Sequence, residues 1–128
     1  MLKGKNRPST RATGDSAEHI ARAYLETKGY EILDTNWRIS HLELDIVARD
    51  GEEVVIVEVR SREGEGFAHP TDAISPQKMK NIITAAEAWV LYHGWNGDTR
   101  FDLILVTLLE NNAYDLEHYD NAFNSTLL

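Results

Sequence analysis

The chain contains no cysteine and no long apolar segment. Without cysteine it has no disulfide framework, no thiol chemistry and no zinc-finger site, which fits a reducing compartment. No apolar run approaches membrane-spanning length, and the N-terminus lacks the apolar core of a signal peptide. We therefore expect a cytoplasmic protein with no membrane partner.

Positive charge is also scarce. The 128 residues include 13 Lys and Arg against 21 Asp and Glu, a net charge of −8, whereas simple nucleic-acid binders are usually basic. The first 14 residues hold four basic residues and no acid, which leaves −12 for the remainder. We predict a flexible basic tail over residues 1–14, either merely solvated or touching phosphate, and a single domain over residues 15–128.

A predicted β-hairpin is the most informative stretch of the sequence. Two runs rich in Val, Ile and Leu, at residues 43–48 and 53–59, flank Asp50-Gly51. Asp-Gly suits a two-residue type I′ turn, because both central positions need positive φ. A four-residue loop over residues 50–53 is the alternative. Because the two loops differ by two residues, both leave the same side chains on the same face.

This hairpin places carboxylates where apolar or neutral groups are expected. Alternation along the strands puts four charged side chains on one face: Glu43, Asp45, Glu58 and Arg60. Asp45 and Glu58 are diagonal neighbours with the two-residue turn and directly opposite with the four-residue loop. Two such carboxylates repel unless a proton or cation lies between them. Their hard oxygens favour Mg²⁺ or Mn²⁺ over zinc.

A first helix precedes the hairpin. Asp15 and Ser16 are its candidate N-caps, and apolar residues follow at helical spacing until Gly29 supplies a C-cap. Glu18 lies beside the apolar stripe. It either completes a capping box with Asp15 or points towards the sheet as a metal ligand.

A second helix follows the hairpin. It starts at Ser75-Pro76 and ends near Gly94. Its first turn contains Gln77, Lys78 and Lys80. Lysines in that position oppose the helix dipole, so they are either solvated surface residues or lie near an anion.

The remaining apolar segments have strand composition. Residues 30–33 and 37–39 are interrupted around residues 34–36, residues 100–109 form a continuous apolar run, and residues 113–119 look like an edge strand. The five histidines have no metal-ligand spacing. The order helix, strands, helix, strands predicts an α/β fold with helices packed on a mixed sheet.

The hairpin motif has a family resemblance. Glu43-Leu44-Asp45 followed by residues 58–62, Glu-Val-Arg-Ser-Arg, resembles the PD-(D/E)xK nuclease superfamily, and more closely its YraN-type members, an uncharacterised bacterial family. The similarity extends over nearly the whole chain from residue 14. It also covers Gly14, Ala17-Glu18, Gly29-Tyr30, Asn36, Lys78 and Arg100-Phe101-Asp102.

The resemblance implies a restriction endonuclease-like three-layer core, a mixed β-sheet flanked by helices, related to Holliday-junction resolvases. It implies a DNA hydrolase that uses Mg²⁺ or Mn²⁺. Because related resolvases are dimers, a homodimer is expected by analogy.

The resemblance also suggests roles for individual residues. Asp45, Glu58 and Arg60 take catalytic positions, and Glu18, Asp45 and Glu58 are the metal-site acids. We expect support for the site from Glu43, Gln77 and Lys78. Contacts to nucleic acid are expected from Arg11, Arg62 and Lys80.

Two residues depart from the family pattern. Leu42 stands where a glycine is usual, and Arg60 stands where a lysine is usual. Arginine can grip phosphate with two N–H groups, but it cannot become neutral to accept a proton. An amine could instead come from the second helix, from Lys78 or Lys80.

Three functions stay open. The first is a metal-dependent endonuclease that cleaves DNA, including structured or branched DNA. The second is a catalytically impaired nucleic-acid-binding or assembly module with the same fold. The third is an interaction domain whose acids are a solvated hairpin face; residue types alone favour this third function, and the family resemblance reverses that preference.

Overall fold

Six β-strands form one mixed sheet, and two helices pack on its opposite faces. The computed structural model describes residues 2–5, 13–63 and 70–124. In chain order the elements are β1 Leu2–Lys5, α1 Thr13–Thr27, β2 Glu31–Ile39, β3 Leu42–Asp50, β4 Glu53–Glu63, α2 Pro76–His93, β5 Asp98–Leu108 and β6 Ala113–Tyr119. The predicted α/β architecture, a mixed sheet flanked by helices, is confirmed.

The strand order across the sheet is β1-β6-β5-β4-β3-β2. β4 and β5 run parallel, and the other described pairs are antiparallel. Parallel neighbours need a crossover connection, which α2 provides. Within the described residues, neither helix combines the length and apolar composition needed to cross a membrane.

β4 lies inside the sheet and is covered on both faces. Val54 and Ile56 pack beneath α2, whereas Val55 and Val57 pack beneath α1. All four side chains are fully or almost fully buried, as expected of a strand between two layers of helix. The same alternation sends the next side chain, Glu58, to the α2 face.

The ends of both helices follow from local chemistry. Gly29 (φ 89) and Gly94 (φ 65) are left-handed residues that stop α1 and α2. Tyr30 N–H donates to the Leu25 carbonyl at 3.0 Å, as in a Schellman motif. At the start of α2, the Ser75 hydroxyl accepts from Lys78 N–H at 3.1 Å, as predicted.

The predicted start of α1 is wrong. α1 begins at Thr13, before the candidate caps Asp15 and Ser16. Glu18 therefore lies in the second turn rather than at the third helical position, and the capping-box interpretation of Glu18 is excluded. The error arises because an acid such as Asp15 is favourable within the first helical turn as well as at the N-cap.

Part of the predicted flexible tail is a strand. Leu2 pairs with Leu116 and Lys5 with Ala113, so β1 covers β6, which was expected to be an edge. An uncovered β6 would expose a row of backbone donors and acceptors. The tail's composition gave no sign of this because its partner lies at the far end of the chain. Arg11, with residues 6–12, lies outside the described residues.

A buried ion network joins α1, β5 and β6. The Asp102 carboxylate is fully buried and accepts from Arg100 Nε at 2.8 Å, from Asn121 N–H at 2.9 Å and from His118 Nε2 at 2.7 Å. His118 Nε2 donates to the Asp102 carboxylate, which leaves Nδ1 to accept from the Tyr24 hydroxyl at 3.0 Å. The sequence assigned no role to His118, and this network gives it a structural one.

Burial alone would raise the pKa of Asp102, but the hydrogen bonds from His118, Arg100 and the Asn121 backbone outweigh it and lower the pKa. A carboxyl with a lowered folded pKa stabilises the fold above its unfolded pKa, about 3.9. That contribution disappears as the pH falls through the folded pKa.

We expect Asp102→Asn to lower the free energy of unfolding by about 3–5 kcal/mol, because Arg100 would lose its buried carboxylate. Urea denaturation at pH 7 measures the change. Asp98→Asn is the control, since Asp98 is exposed at the start of β5 and should change stability by about 0.5 kcal/mol or less. Equal stabilities for the two variants would contradict a stabilising network.

Candidate functional site

The β3–β4 turn differs from the predicted one. Asp50 pairs with Glu53, so the two turn residues are Gly51 and Glu52 rather than Asp50 and Gly51. Gly51 has φ 63, and Glu52 is not a positive-φ residue. This matches a type II′ turn, which needs glycine only at its first central position, whereas Asp-Gly had suggested type I′.

The observed register is the one expected for the longer loop. Ile46 pairs with Val57 at the end of the ladder, and one step further the register sets Asp45 opposite Glu58. There the Asp45 carboxylate oxygen Oδ2 accepts from Val59 N–H at 3.0 Å. The side chain thus satisfies a backbone donor that the ladder no longer reaches. Asp45 is held where the two strands separate.

Two cations approach the buried Glu58 carboxylate, which is 3% exposed. Arg60 Nη1 lies 3.7 Å and Lys78 Nζ 4.0 Å from the same oxygen, Oε2. Lys78 reaches it from the first turn of α2, whose start is set by the Ser75 cap. The two cationic side chains are 46% and 38% exposed, so they also face solvent.

The pKa of Glu58 is raised to about 9. Burial is the main cause, the charge and hydrogen bond of Asp45 act in the same direction, and the charges of Lys78 and Arg60 oppose the rise. At neutral pH and without a metal ion, Glu58 therefore carries a proton. A divalent cation between the carboxylates would take that proton's place, because either positive charge relieves the repulsion.

The donor chemistry of this pair fits Mg²⁺ or Mn²⁺, since both acids offer hard oxygen ligands. In the described part of the chain, no three His, Cys, Asp or Glu side chains are grouped closely enough to hold an ion. The structure thus brings Asp45 and Glu58 together and does not join Glu18 to them in one cluster. The metal role of Glu18 stays a prediction.

Glu18 lies where α1 faces β2. Its Oε1 accepts from Asn36 Nδ2 at 2.5 Å. Both residues line a cavity of about 210 Å³. The other lining residues are His19, Arg22, Thr35 and Ile46. Asn36 is included in the family resemblance, but no role was assigned to it from the sequence. A further signal was its position at the interruption of a strand pattern, since asparagine tolerates a left-handed backbone.

Two of the supporting candidates contact other side chains. Glu43 accepts from Arg38 Nε at 2.9 Å, beside a second cavity of about 230 Å³ that Lys78 also lines. Gln77 is exposed, and its side-chain amide donates to Asn81 Oδ1 at 3.0 Å. Lys78 is therefore the supporting candidate that the structure places beside Glu58.

The candidates for nucleic-acid contact are spread out. Arg62 donates from Nε to Thr107 Oγ1 at 2.8 Å and from Nη2 to Glu117 Oε1 at 3.2 Å, which ties its guanidinium to β5 and β6. Lys80 is exposed on the first turn of α2. Their contacts with nucleic acid stay predictions.

A raised carboxyl pKa means that the bound proton stabilises the fold, fully below about pH 4 and less as the pH rises towards 9. Glutamine imitates the protonated form at every pH. In metal-free buffer at pH 8, we expect Glu58→Gln to be more stable than the wild type by on the order of 2 kcal/mol, measured by urea denaturation.

Glu63→Gln, at the exposed end of β4, is the matched control and should leave stability unchanged at both pH values. The gain from Glu58→Gln should shrink at pH 5. A Glu58→Gln protein that is less stable than the wild type at pH 8 would refute the assigned protonation.

The chain matches a known protein family. The model of the uncharacterised protein family UPF0102 matches residues 17–106. A UPF0102 protein of Geobacter sulfurreducens is 40% identical over 124 residues, which cover 96% of this chain and 97% of the relative. A UPF0102 protein of Bacteroides thetaiotaomicron is 42% identical over 110 residues, 86% of this chain and 90% of the relative.

Among solved structures, the chain is similar to Archaeoglobus fulgidus Hjc, a Holliday junction resolvase from an archaeal hyperthermophile. The TM-score is 0.48 at 14% sequence identity, and the match covers 89% of this chain and 90% of the resolvase chain. The family match includes the hairpin acids and the first turn of α2. The chain belongs to the uncharacterised protein family UPF0102, as its YraN-type resemblance predicted.

Proposed function

We propose that the protein is a metal-dependent endonuclease that hydrolyses phosphodiester bonds of DNA. The observation that carries the proposal is the convergence of two opposed carboxylates and two cations where β3 and β4 separate. Asp45 and Glu58 are the carboxylates, and Arg60 and Lys78 supply the positive charge. A solvated hairpin face would not bury one of its acids.

In this proposal Asp45 and Glu58 hold Mg²⁺ or Mn²⁺, with Glu18 as the third acid. The bound ion would polarise the scissile phosphate and lower the pKa of a water molecule. Burial of Glu58 favours such an ion, because a buried carboxylate next to a second one gains more from a cation than an exposed one does.

Arg60 and Lys78 together take the place of the lysine in the PD-(D/E)xK pattern. Arg60 stays protonated and stabilises the extra negative charge on the phosphate in the transition state. Lys78 supplies an amine beside the same carboxylate. Since both cations lie near one oxygen of Glu58 while facing solvent, a phosphate beside Glu58 would be within reach of both.

The proposed substrate is structured or branched DNA, as the resemblance to resolvases suggests. The net charge of −8 gives little general attraction to a duplex, so recognition would depend on local contacts. We propose Arg11, Arg62 and Lys80 for those contacts, and a homodimer, which would bring two sites to one junction.

A catalytically impaired module that binds nucleic acid or assembles with a partner is the second candidate function. Arg60 favours it, because arginine cannot act as a neutral base at the position where the PD-(D/E)xK pattern has lysine. The cleavage rate of an Arg60→Lys variant distinguishes the two functions.

Metal binding is tested by thermal unfolding. We expect Mg²⁺ or Mn²⁺ at millimolar concentration to raise the melting temperature, because an ion that binds only the folded chain stabilises it. Asp45→Asn should abolish the rise. Asp98→Asn, remote from the hairpin acids along the chain, should keep it. No metal-dependent rise in the wild type would defeat the nuclease proposal.

Cleavage is tested on linear, flapped and four-way-junction DNA. We expect Lys78→Met to lower the cleavage rate by about 10²–10³-fold, as for other groups that stabilise transition-state charge. Lys80→Met is the matched control, since Lys80 is an exposed lysine in the same turn, and it should affect DNA affinity more than the rate. Equal rates for the two variants would remove Lys78 from the mechanism.

Arg60→Lys decides between the two candidate functions. A lower rate than the wild type shows that arginine has been adopted for catalysis. A gain of activity shows an impaired site that lysine restores. DNA binding without cleavage by either protein, in Mg²⁺ and in Mn²⁺, supports the binding module.

A further inference from the structure

Asn36 has an unusual backbone conformation inside a strand. It has φ 51, in the left-handed region, although it lies within β2. A residue other than glycine adopts this region at a cost in free energy, and asparagine adopts it more readily than most. Such a conformation persists where the surrounding structure requires it, often at a functional site.

The distortion lies directly beside Asp45. Thr35 pairs with Ile46 and Trp37 with Leu44, so the register sets Asn36 opposite Asp45. A second irregularity, a register shift, falls between Ile32 and Asp34 of the same strand. β2 is therefore irregular along and near the stretch that lies opposite Asp45.

The left-handed residue changes where the side chains of β2 point. Thr35 and Asn36 both line the cavity beside α1, although consecutive residues of a regular strand face opposite sides. The next residue, Trp37, packs against the core beneath α2. The break in alternation brings the Asn36 amide to the α1 face, where Nδ2 donates to Glu18 Oε1 at 2.5 Å.

We propose that Asn36 is a positioning residue that orients Glu18 for the metal site, an inference that rests on the proposed nuclease function. Glu18 is on a helix, and its long side chain has several rotamers, so a fixed donor is needed to hold the carboxylate in one place. A neutral amide does this without cancelling the negative charge that a cation requires. Partners of this kind are known to affect metal affinity as strongly as some ligands do.

The test measures Mn²⁺ binding alone, by titration calorimetry or by the electron paramagnetic resonance of free Mn²⁺. Asn36→Gly removes the amide and accepts the left-handed backbone. Asn36→Ala also removes the amide but keeps a β-carbon at the left-handed position. We expect both variants to bind Mn²⁺ at least about 10-fold more weakly than the wild type.

Thr35→Ala is the matched control. Thr35 lines the same cavity and is exposed, as Asn36 is, but the hydrogen bond to Glu18 comes from Asn36, so Mn²⁺ affinity should be unchanged. Asn36→Gly should have no further effect in a Glu18→Gln background, because the amide acts through that carboxylate. Melting temperatures measured without metal identify any variant that fails to fold. The Mn²⁺ affinity of the other Asn36 variant then tests the positioning role.

The outcomes separate this inference from the proposed function. Wild-type protein that binds no Mn²⁺ overturns both. If the wild type binds Mn²⁺ and Asn36→Gly binds it equally well or more tightly, the positioning role is overturned while the nuclease proposal stands. Weakening by Asn36→Gly that persists in the Glu18→Gln background also overturns the role, because the effect would then bypass Glu18.

Discussion

The repulsion between Asp45 and Glu58 is the constraint around which this molecule is arranged. The fold holds these carboxylates opposite each other, with one buried, although water would keep them charged and apart. A proton on Glu58 relieves the repulsion at neutral pH, and Lys78 and Arg60 relieve it in part. The arrangement costs stability in the isolated chain, as local conflicts at functional sites often do, and under the proposed function a cation would replace the proton.

Each layer of the fold contributes to this arrangement. β4 lies between two helices and two strands, so its central apolar residues fix the strand and carry Glu58 to a defined depth. The Ser75 cap sets the first turn of α2 and with it the position of Lys78. The Asp102 network lies elsewhere on β5 and joins that strand to α1 and β6. The core and the helix cap thus fix Glu58 and Lys78, while the ion network holds β5, the strand that pairs with β4.

Much of the fold, and the pairing of the two acids, could be predicted from the sequence. Apolar periodicity and capping residues gave the helices, the two-sided strands and the hairpin, because these signals are local. The spacing of Asp45 and Glu58 gave the acid pair even though the turn was displaced by one residue, since the alternative register left both acids on one face. Three contacts could not be predicted from the sequence: the β1–β6 pairing, the hydrogen bond from His118 to Asp102, and the hydrogen bond from Asn36 to Glu18. They join segments distant in sequence, and no local pattern specifies such partners.

The parallel pairing of β4 with β5 determines when Glu58 becomes covered during synthesis of the chain. β3 and β4 are adjacent in sequence, so the hairpin can pair as soon as it leaves the ribosome, with both acids still in water. The helix and strand that cover Glu58 are made later. A nascent chain therefore carries Glu58 in water, where it is charged at neutral pH, and its pKa rises only after α2 and β5 have docked. Uptake of a proton by Glu58 therefore accompanies the completion of the fold around β4.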